Sequence, residues 1–253
     1  MKEEKRRRFR RRKSLGQCFL EDRNILRLEA RLADVQGKKV LEIGAGDGRL
    51  TEVLLEQKPE KIFAVERDPR YADILRQKFR DMPVEVMEED FLNLELPEFG
   101  VVVGNIPYYI SSDIIFSLTN YDFERAVLMV QKEFAEKMVA KPGDRGYGRL
   151  SVTSQFYYDV ELERRVLRHL FRPIPKVDSA IVVLSPTGRR LSQFQENVIR
   201  YLFQHKNKTV RNALLASKVF VGEELEKLGD YAGQRPRKLS KEQVLEIVDI
   251  LES

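Results

Sequence analysis

The sequence is poor in the residues that build disulfides, metal sites and membrane spans. Its single cysteine excludes an internal disulfide and is typical of a reducing compartment, so we expect a cytoplasmic protein. Two histidines far apart in the sequence, His169 and His205, argue against a histidine-ligated metal site or a histidine-based hydrolase. No apolar run approaches the roughly 18 residues of a membrane span, and we expect no membrane association.

Positive charge is concentrated at one end of the chain. The whole sequence has a formal net charge of +5, but residues 1–13, MKEEKRRRFRRRK, carry +7, which leaves −2 for residues 14–253. A basic run of this kind is typical of a disordered arm that binds phosphate, and elsewhere it serves as a solubilising or targeting tail. We predict a basic N-terminal arm over residues 1–13.

Short apolar strands alternate with helical segments from about residue 21 to residue 185. This alternation predicts a Rossmann-like α/β sheet of mostly parallel strands, covered by helices on both faces. The first five predicted strands are KKVLEIGAG, KIFAVERD, VEVMEED, VVVGNIP and RAVLMVQ. Two later segments, LSVTSQFYYDVELERRV and SAIVVLSP, are predicted as antiparallel strands, so that the sheet has an antiparallel edge.

The segment SPTG at residues 185–188 interrupts this pattern, and the sequence after it is helical. Its last helical segment, KEQVLEIVDILE, follows Ser240, with Gln243 three residues on, which is the pattern of a capping box. We therefore predict a sheet domain over residues 14–186 and a small all-helical domain over residues 187–253.

Polar residues and glycines follow the predicted parallel strands at the points where the strands end. Ligands of doubly wound sheets bind beyond these carboxyl ends. The first strand leads into EIGAGDG, with Glu42, Gly44 and Gly46, the second leads to Glu66, and the third leads to Asp90. Taken singly, each residue is explained as a turn glycine or a helix cap. The fourth strand, VVVGNIP, also ends in polar residues, and four matching strand ends together favour a binding site.

The glycine spacing indicates which ligand binds there. The loop reads G-x-G-x-G, which differs from the dinucleotide-binding G-x-G-x-x-G, and no phosphate-binding G-x-x-x-x-G-K-[ST] loop is present. A nucleoside without a pyrophosphate suits this loop, which favours S-adenosylmethionine. We expect the methionine end near Gly44 and Gly46, the ribose diol at Glu66 and the adenine amine at Asp90.

The fourth strand ends in an amide, a proline and aromatic side chains, in the sequence VVVGNIPYYIS. An adenine amine is a poor nucleophile, and it needs acceptors that hold its hydrogens rather than a strong base. The Asn105 side-chain oxygen and the Ile106 carbonyl are such acceptors, and Pro107 fixes the turn that directs them. Tyr108 offers a face on which a flipped-out base stacks. The motif therefore predicts methyl transfer to an amine, catalysed mainly by positioning.

With these motifs the sequence resembles the small-subunit ribosomal RNA adenine dimethyltransferases, strongly over Lys13 to Leu184 and more weakly beyond. That family implies a methyltransferase fold for residues 14–186. It also implies transfer of methyl groups to two adjacent adenosines near the 3′ end of small-subunit rRNA, during ribosome biogenesis. The matching segments are KSLGQCFL, VLEIGAGDGRLT, AVERD, EEDFL, GNIPYYIS, VQKEFAEKMVA, YGRLSV and FRPIPKVDSA.

The resemblance also implies roles for residues that the strand-end pattern leaves out. The family's F-x-P-x-P-K-V phenylalanine closes the other side of the target base, and here it is Phe171. Its G-Q-x-F-L segment covers the cofactor, which implies Gln17, Cys18 and Leu20. Cys18 stands where the family usually has asparagine or histidine. Because a thiol forms poor hydrogen bonds, either the backbone makes this contact or the cofactor binds more weakly.

Two other functions stay open on the sequence alone. A large-subunit rRNA adenine methyltransferase of the antibiotic-resistance type shares the fold and motifs, and a non-catalytic nucleic-acid-binding factor shares the fold. A DNA adenine methyltransferase is disfavoured, because those enzymes typically carry Asp-Pro-Pro-Tyr-like motifs. We expect a monomer that acts on small-subunit rRNA within a pre-ribosomal particle.

Overall fold

The computed structural model describes residues 18–252, so the predicted basic arm and Gln17 lie outside the described residues. The strands are β1 (Phe19–Leu20), β2 (Lys39–Ile43), β3 (Lys61–Val65), β4 (Val84–Met87), β5 (Val101–Asn105), β6 (Arg125–Gln131), β7 (Tyr158–Val166), β8 (Phe171–Arg172) and β9 (Ser179–Pro186). The α-helices are α1 (Arg23–Ala33), α2 (Arg49–Leu55), α3 (Pro69–Lys78), α4 (Ser111–Ser117), α5 (Lys132–Met138), α6 (Arg149–Tyr157), α7 (Gln193–Gln204), α8 (Val210–Ala216) and α9 (Lys241–Glu252).

Seven strands form one sheet in the order β4-β3-β2-β5-β6-β9-β7. The first five in this order are parallel, whereas β9 runs antiparallel to both β6 and β7. Successive side chains of a strand point to opposite faces, and here Val101 and Val103 pack in one core while Val102 packs in the other. The prediction of a mostly parallel Rossmann-like sheet with an antiparallel edge is confirmed.

Helix α1 covers one face of this sheet and packs on α2, β5 and β6. It begins after Asp22, whose carboxylate accepts hydrogen bonds from the backbone N–H groups of Asn24 and Ile25 and so caps the helix. Its buried positions recur at the spacing of a single helix face. They are Leu26, Glu29, Ala30 and Ala33.

The prediction of a strand over the whole segment LSVTSQFYYDVELERRV is wrong in its first half. Residues Arg149–Tyr157 form α6, and the strand begins only at Tyr158. The β-branched and aromatic residues of this segment favour a strand, but their burial is continuous from Ser151 to Ser154 and does not alternate. The Ser151 hydroxyl donates to the Lys137 carbonyl at 2.6 Å, which fixes the first turn of the helix against α5. Tertiary packing here overrides local propensity.

The residues after β9 are helical, as predicted, and the predicted capping box opens α9. The Ser240 N–H donates to the Gln243 side chain at 2.9 Å, and the Gln243 N–H donates back to the Ser240 hydroxyl at 3.2 Å. These helices share a hydrophobic core with the segment between α5 and α6, which contributes Tyr147. The buried Tyr147 hydroxyl also donates to the Leu239 carbonyl at 2.7 Å. The domain boundary near residue 187 stays a prediction. Among residues 18–252, each helix is too short or too polar to cross a bilayer.

Strand β5 approaches β2 closely at Gly104, directly before Asn105. A Cβ atom added at Gly104 would lie 2.6 Å from the backbone oxygen of Ile43, a separation that real Cβ atoms essentially never show. Only glycine therefore allows the two strands to lie this close at the point where both end.

We expect Gly104→Ala to destabilise the fold by about 1–3 kcal/mol, the usual cost of overpacking a rigid interior site. The measurement is the free energy of unfolding from denaturant titration. Gly233→Ala is the matched control, because a Cβ there meets no atom within 4 Å and the backbone is not left-handed. A Gly104→Ala protein as stable as the control variant would contradict the close approach of β5 to β2.

Candidate active site

A single cavity opens at the carboxyl ends of the parallel strands. It brings together all the predicted site residues that the structure describes, although they come from six separate stretches of the chain. They are Cys18, Leu20, Glu42, Gly44, Gly46, Glu66, Asp90, Asn105, Ile106, Pro107, Tyr108 and Phe171. The thirteenth, Gln17, lies outside the described residues.

The glycine loop after β2 forms the first wall of this cavity. Gly44 and Gly46 have φ angles of 75° and 57°, in the left-handed region that favours glycine. A Cβ at Gly46 would lie 2.7 Å from the ring of Phe19, so a larger residue would displace that ring. The backbone N–H groups of Gly44 and Ala45 both donate to the Val65 carbonyl, at 2.9 and 3.1 Å, which ties the loop to the end of β3.

Glu66, directly after β3, holds the loop from the other side. One carboxylate oxygen accepts the Gly46 N–H at 2.9 Å, and the other accepts the Asp68 N–H at 2.8 Å. Burial raises the pKa of Glu66, and these backbone hydrogen bonds oppose the rise. Each oxygen keeps a lone pair for a further donor. Glu66 is therefore able to accept from a ribose diol while it shapes the glycine loop.

Glu42 lies deeper, at the end of β2, where it is almost fully buried. One of its oxygens accepts the Thr51 hydroxyl at 2.7 Å, while no group among the described residues donates to the other, Oε1. Burial, together with the nearby Glu66, raises the pKa of Glu42 to about 8. An unsatisfied buried acceptor at the wall of a cavity suits a ligand that brings its own hydrogen-bond donors, such as an ammonium group.

Asp90 is already engaged in two interactions. One carboxylate oxygen pairs with the guanidinium of Arg67 at 2.7 Å, and the other accepts the Leu92 N–H at 3.2 Å and so caps a short 3₁₀ helix. Arg67 is not recognisable from the sequence, because 23 positions separate it from Asp90 and nothing in the pattern marks the pair. Arg67 lines the same cavity. An adenine amine at Asp90 would share that carboxylate with a guanidinium.

The turn after β5 places the amide and the aromatic rings of the predicted amine holder. Pro107 has φ −60° and ψ 130°, which leads the chain away from the sheet. The Tyr108 hydroxyl lies 2.6 Å from the Ser179 hydroxyl at the start of β9, so the ring is anchored at both ends. No described group donates to the buried side-chain oxygen of Asn105. Tyr109, which the sequence analysis left without a role, also lines the cavity and is 59% exposed.

The far wall is the small antiparallel ribbon of β1 and β8. Leu20 pairs with Phe171, and the Glu21 N–H donates to the Leu170 carbonyl at 2.9 Å. Phe171 is 3% exposed and packs in the same core as β2 and β5. Cys18 lies next to this ribbon and is half-buried against that core. Its surroundings are therefore those of a small hydrophobic residue, although it also lines the cavity.

We expect Glu66→Gln to weaken S-adenosylmethionine binding at least about tenfold, since a hydrogen bond to a charged group contributes about 1.5–3 kcal/mol. The amide is nearly the same size but lacks the charge, and its NH₂ group cannot accept from a backbone N–H. Isothermal titration calorimetry measures the affinity. Glu85→Gln, the same change on the exposed edge strand outside the cavity, is the control. Unchanged affinity in a folded Glu66→Gln protein would contradict the ribose role.

Comparison with known proteins agrees with this geometry. A model of the ribosomal RNA adenine dimethylase family matches residues 8–253. A probable ribosomal RNA small subunit methyltransferase A from Thermococcus onnurineus is 43% identical over 244 residues, covering 92% of this chain and 89% of the relative. The protein of the same description from Methanopyrus kandleri is 43% identical over 258 residues, covering 96% of this chain and 92% of the relative.

Two solved structures resemble the whole chain. A dimethyladenosine transferase from Plasmodium falciparum has a TM-score of 0.80 at 32% identity, covering 90% of this chain and 95% of that one. The 23S rRNA methyltransferase ErmE has a TM-score of 0.70 at 31% identity, covering 93% of this chain and 100% of that one. The resemblance found in the sequence motifs is confirmed, as are S-adenosylmethionine as cofactor and rRNA as substrate class. The chain belongs to the ribosomal RNA adenine dimethylase family of S-adenosylmethionine-dependent rRNA methyltransferases.

Proposed function

We propose that this enzyme methylates the exocyclic amines of two adjacent adenosines near the 3′ end of small-subunit rRNA, giving dimethyladenosines during ribosome biogenesis. One observation carries the chemistry: the Asn105–Tyr108 turn lies in the same cavity as Gly44, Gly46 and Glu66. An amine held at this turn and a nucleoside cofactor held at the glycine loop would face each other. The identity of the target nucleotides rests on the family resemblance.

The residues of the turn would act by orientation. The Asn105 side-chain oxygen and the Ile106 carbonyl accept the two amine hydrogens and favour a pyramidal nitrogen whose lone pair faces the methyl group. Bound S-adenosylmethionine supplies that methyl group on a positively charged sulfur. Tyr108 stacks on one face of the base, and Phe171 closes the other. The amine nitrogen releases one proton to solvent after the methyl group is attached, so no strong base is needed before attack. Positioning and electrostatics therefore provide most of the rate enhancement.

The remaining site residues would hold the cofactor. The glycine loop receives the methionine end, and the free Oε1 of Glu42 accepts from its ammonium group. Glu66 accepts from the ribose, and Asp90 accepts from the adenine amine beside Arg67. Leu20 and Cys18 cover the cofactor from the β1 side, together with Gln17.

The small subunit is favoured over the large one by the closer relatives. The two proteins described as small-subunit methyltransferases are 43% identical to this chain, whereas the 23S rRNA methyltransferase ErmE is 31% identical. We further propose that the enzyme acts as a cytoplasmic monomer on a pre-ribosomal small-subunit particle. In this arrangement residues 14–186 carry the chemistry, and the arm at residues 1–13, with the helical domain at 187–253, adds contacts to RNA.

We expect methyl transfer to small-subunit RNA or particles, and dimethyladenosine as the final product. The experiment offers labelled cofactor together with naked small-subunit RNA, assembled small subunits or assembled large subunits, followed by mass spectrometry of the digested RNA. Methyl transfer confined to large subunits would contradict the proposal and indicate a large-subunit rRNA methyltransferase of the antibiotic-resistance type. Transfer that stops at monomethyladenosine would contradict dimethylation, and no transfer to any RNA would favour a non-catalytic factor.

We expect Asn105→Ala to slow single-turnover methyl transfer about a hundred- to thousandfold, the typical cost of losing one preorganised polar group. Cofactor affinity and RNA affinity should change little, because other residues provide most of those contacts. Asn120→Ala, the same change at an exposed position outside the cavity, is the control. Wild-type transfer by a folded Asn105→Ala protein would show that the turn does not hold the amine.

A further inference from the structure

Helix α1 carries an acidic residue on its buried face. The other buried positions of that face are Leu26, Ala30 and Ala33, which pack against the sheet, and Glu29 stands among them with 0% of its surface exposed. Glutamate is almost never fully buried unless it is paired. Nothing in the proposed chemistry uses this carboxyl, so its position calls for a partner.

The Asn105 amide, at the end of β5, fits this position, because α1 packs on β5 and Leu26, one turn before Glu29 on the same face, lines the cavity together with Asn105. No described group donates to either oxygen of Glu29, and none donates to the side-chain oxygen of Asn105. Burial raises the pKa of Glu29 to about 8, and the Asn105 amide is close enough to oppose part of this rise. The two side chains are therefore neighbours with no formed hydrogen bond between them, and both carry unsatisfied oxygens.

We propose that Glu29 is a positioning residue that accepts a hydrogen bond from the Asn105 NH₂ group and so turns the Asn105 oxygen toward the amine of the target adenine. This inference rests on the proposed function, because it assigns Asn105 the amine. The physical reason lies in the asymmetry of an amide. One end of the Asn105 side-chain amide donates hydrogen bonds and the other accepts them. A rotation of the amide by 180° would place the Asn105 NH₂ group against the amine of the target adenine, where two donors would face each other. A fixed acceptor behind the amide selects the productive rotation.

The protonation state of Glu29 determines how strongly it favours one rotation of the Asn105 amide over the other. A protonated carboxyl both donates and accepts, so it also permits the unproductive rotation in which its O–H donates to the Asn105 oxygen. An ionised carboxylate only accepts, and it permits the productive rotation alone. Since the folded-state pKa of Glu29 is raised to about 8, the productive fraction increases as the pH rises through that value.

The charged groups around Glu29 are few on the elements that pack against it. Glu42 on β2 acts on it directly and disfavours its ionisation. Arg125, at the start of β6, donates instead to the Leu32 carbonyl near the other end of α1, at 2.9 Å. Further charges act on Glu42 or lie in ion pairs on or beside α2. They are Glu66, Lys78, Arg49, Asp47, Glu52 and Glu56, the last with Arg23 and Arg27.

The test compares Glu29→Gln and Glu29→Leu with the wild type in single-turnover methyl transfer from pH 6.5 to 9.5, with small-subunit particles as substrate. We expect the wild-type rate to rise severalfold through about pH 8. Glu29→Gln, which both donates and accepts at every pH, should match the wild type at low pH and show no rise. Glu29→Leu leaves the amide without a partner, and its rate should fall about tenfold at saturating cofactor and RNA with little change in either affinity.

Three results would overturn the proposal. The first is a folded Glu29→Leu protein that transfers methyl groups at or above the wild-type rate. The second is a Glu29→Gln protein that keeps the wild-type pH dependence, and the third is a wild-type rate that does not rise near pH 8. If Glu29→Leu does not fold, the nearly isosteric Glu29→Gln decides the question by its pH profile. Asn105→Ala separates the two hypotheses. If it is inactive while both Glu29 variants behave as wild type, only the positioning role fails, and if it is fully active the proposed function itself fails.

Discussion

The close contact between β5 and β2 determines where the reactive groups meet. Gly104 brings β5 to a distance from Ile43 that no side chain would allow, and the next residue of each strand then enters the cavity. As a result the Asn105 backbone lies beside the glycine loop, where a Cβ added at Gly44 would be only 3.6 Å from the Asn105 carbonyl oxygen. The amine holder and the cofactor loop are thus neighbours through the backbone, and side chains are left free to bind ligands. Everything proposed about the chemistry depends on this contact.

Three buried carboxyl groups give the cavity floor and the layer behind it their electrostatic character, because Glu42 and Glu66 line the cavity and Glu29 lies behind it on α1. Glu42 acts on Glu29 and is itself acted on by Glu66, so the three form a connected acidic group. Burial favours the protonated form of each, repulsion from a neighbouring carboxylate adds to this effect, and the pKa of each is raised. A cation placed among them offsets that repulsion. S-adenosylmethionine carries positive charge on its sulfur and its ammonium group, and both would lie above this floor.

The sequence predicted the parts of the site that follow from strand order and could not predict those made by distant pairs. Strand ends in a parallel sheet converge by geometry, so Gly44, Glu66, Asp90 and Asn105 are found from pattern alone. The Arg67–Asp90 pair and the proposed Glu29–Asn105 pair link positions far apart in the sequence. No local signal marks either of them. The helix at Arg149–Tyr157 was missed for a related reason, because continuous burial hides the periodicity on which such predictions depend.

The ribbon of β1 and β8 has a thermodynamic consequence. One of its strands covers the predicted cofactor position with Leu20, and the other carries Phe171 at the predicted base position, and the two residues are register partners. A movement of one strand therefore displaces the other, which links the two ligands through a single pair of backbone segments. Any energy of interaction carried by this ribbon must be reciprocal. The factor by which bound cofactor raises the affinity for RNA is also the factor by which bound RNA raises the affinity for that cofactor. A stronger linkage that holds the RNA for a second methyl transfer therefore also holds any cofactor that makes the same contacts with the ribbon more tightly.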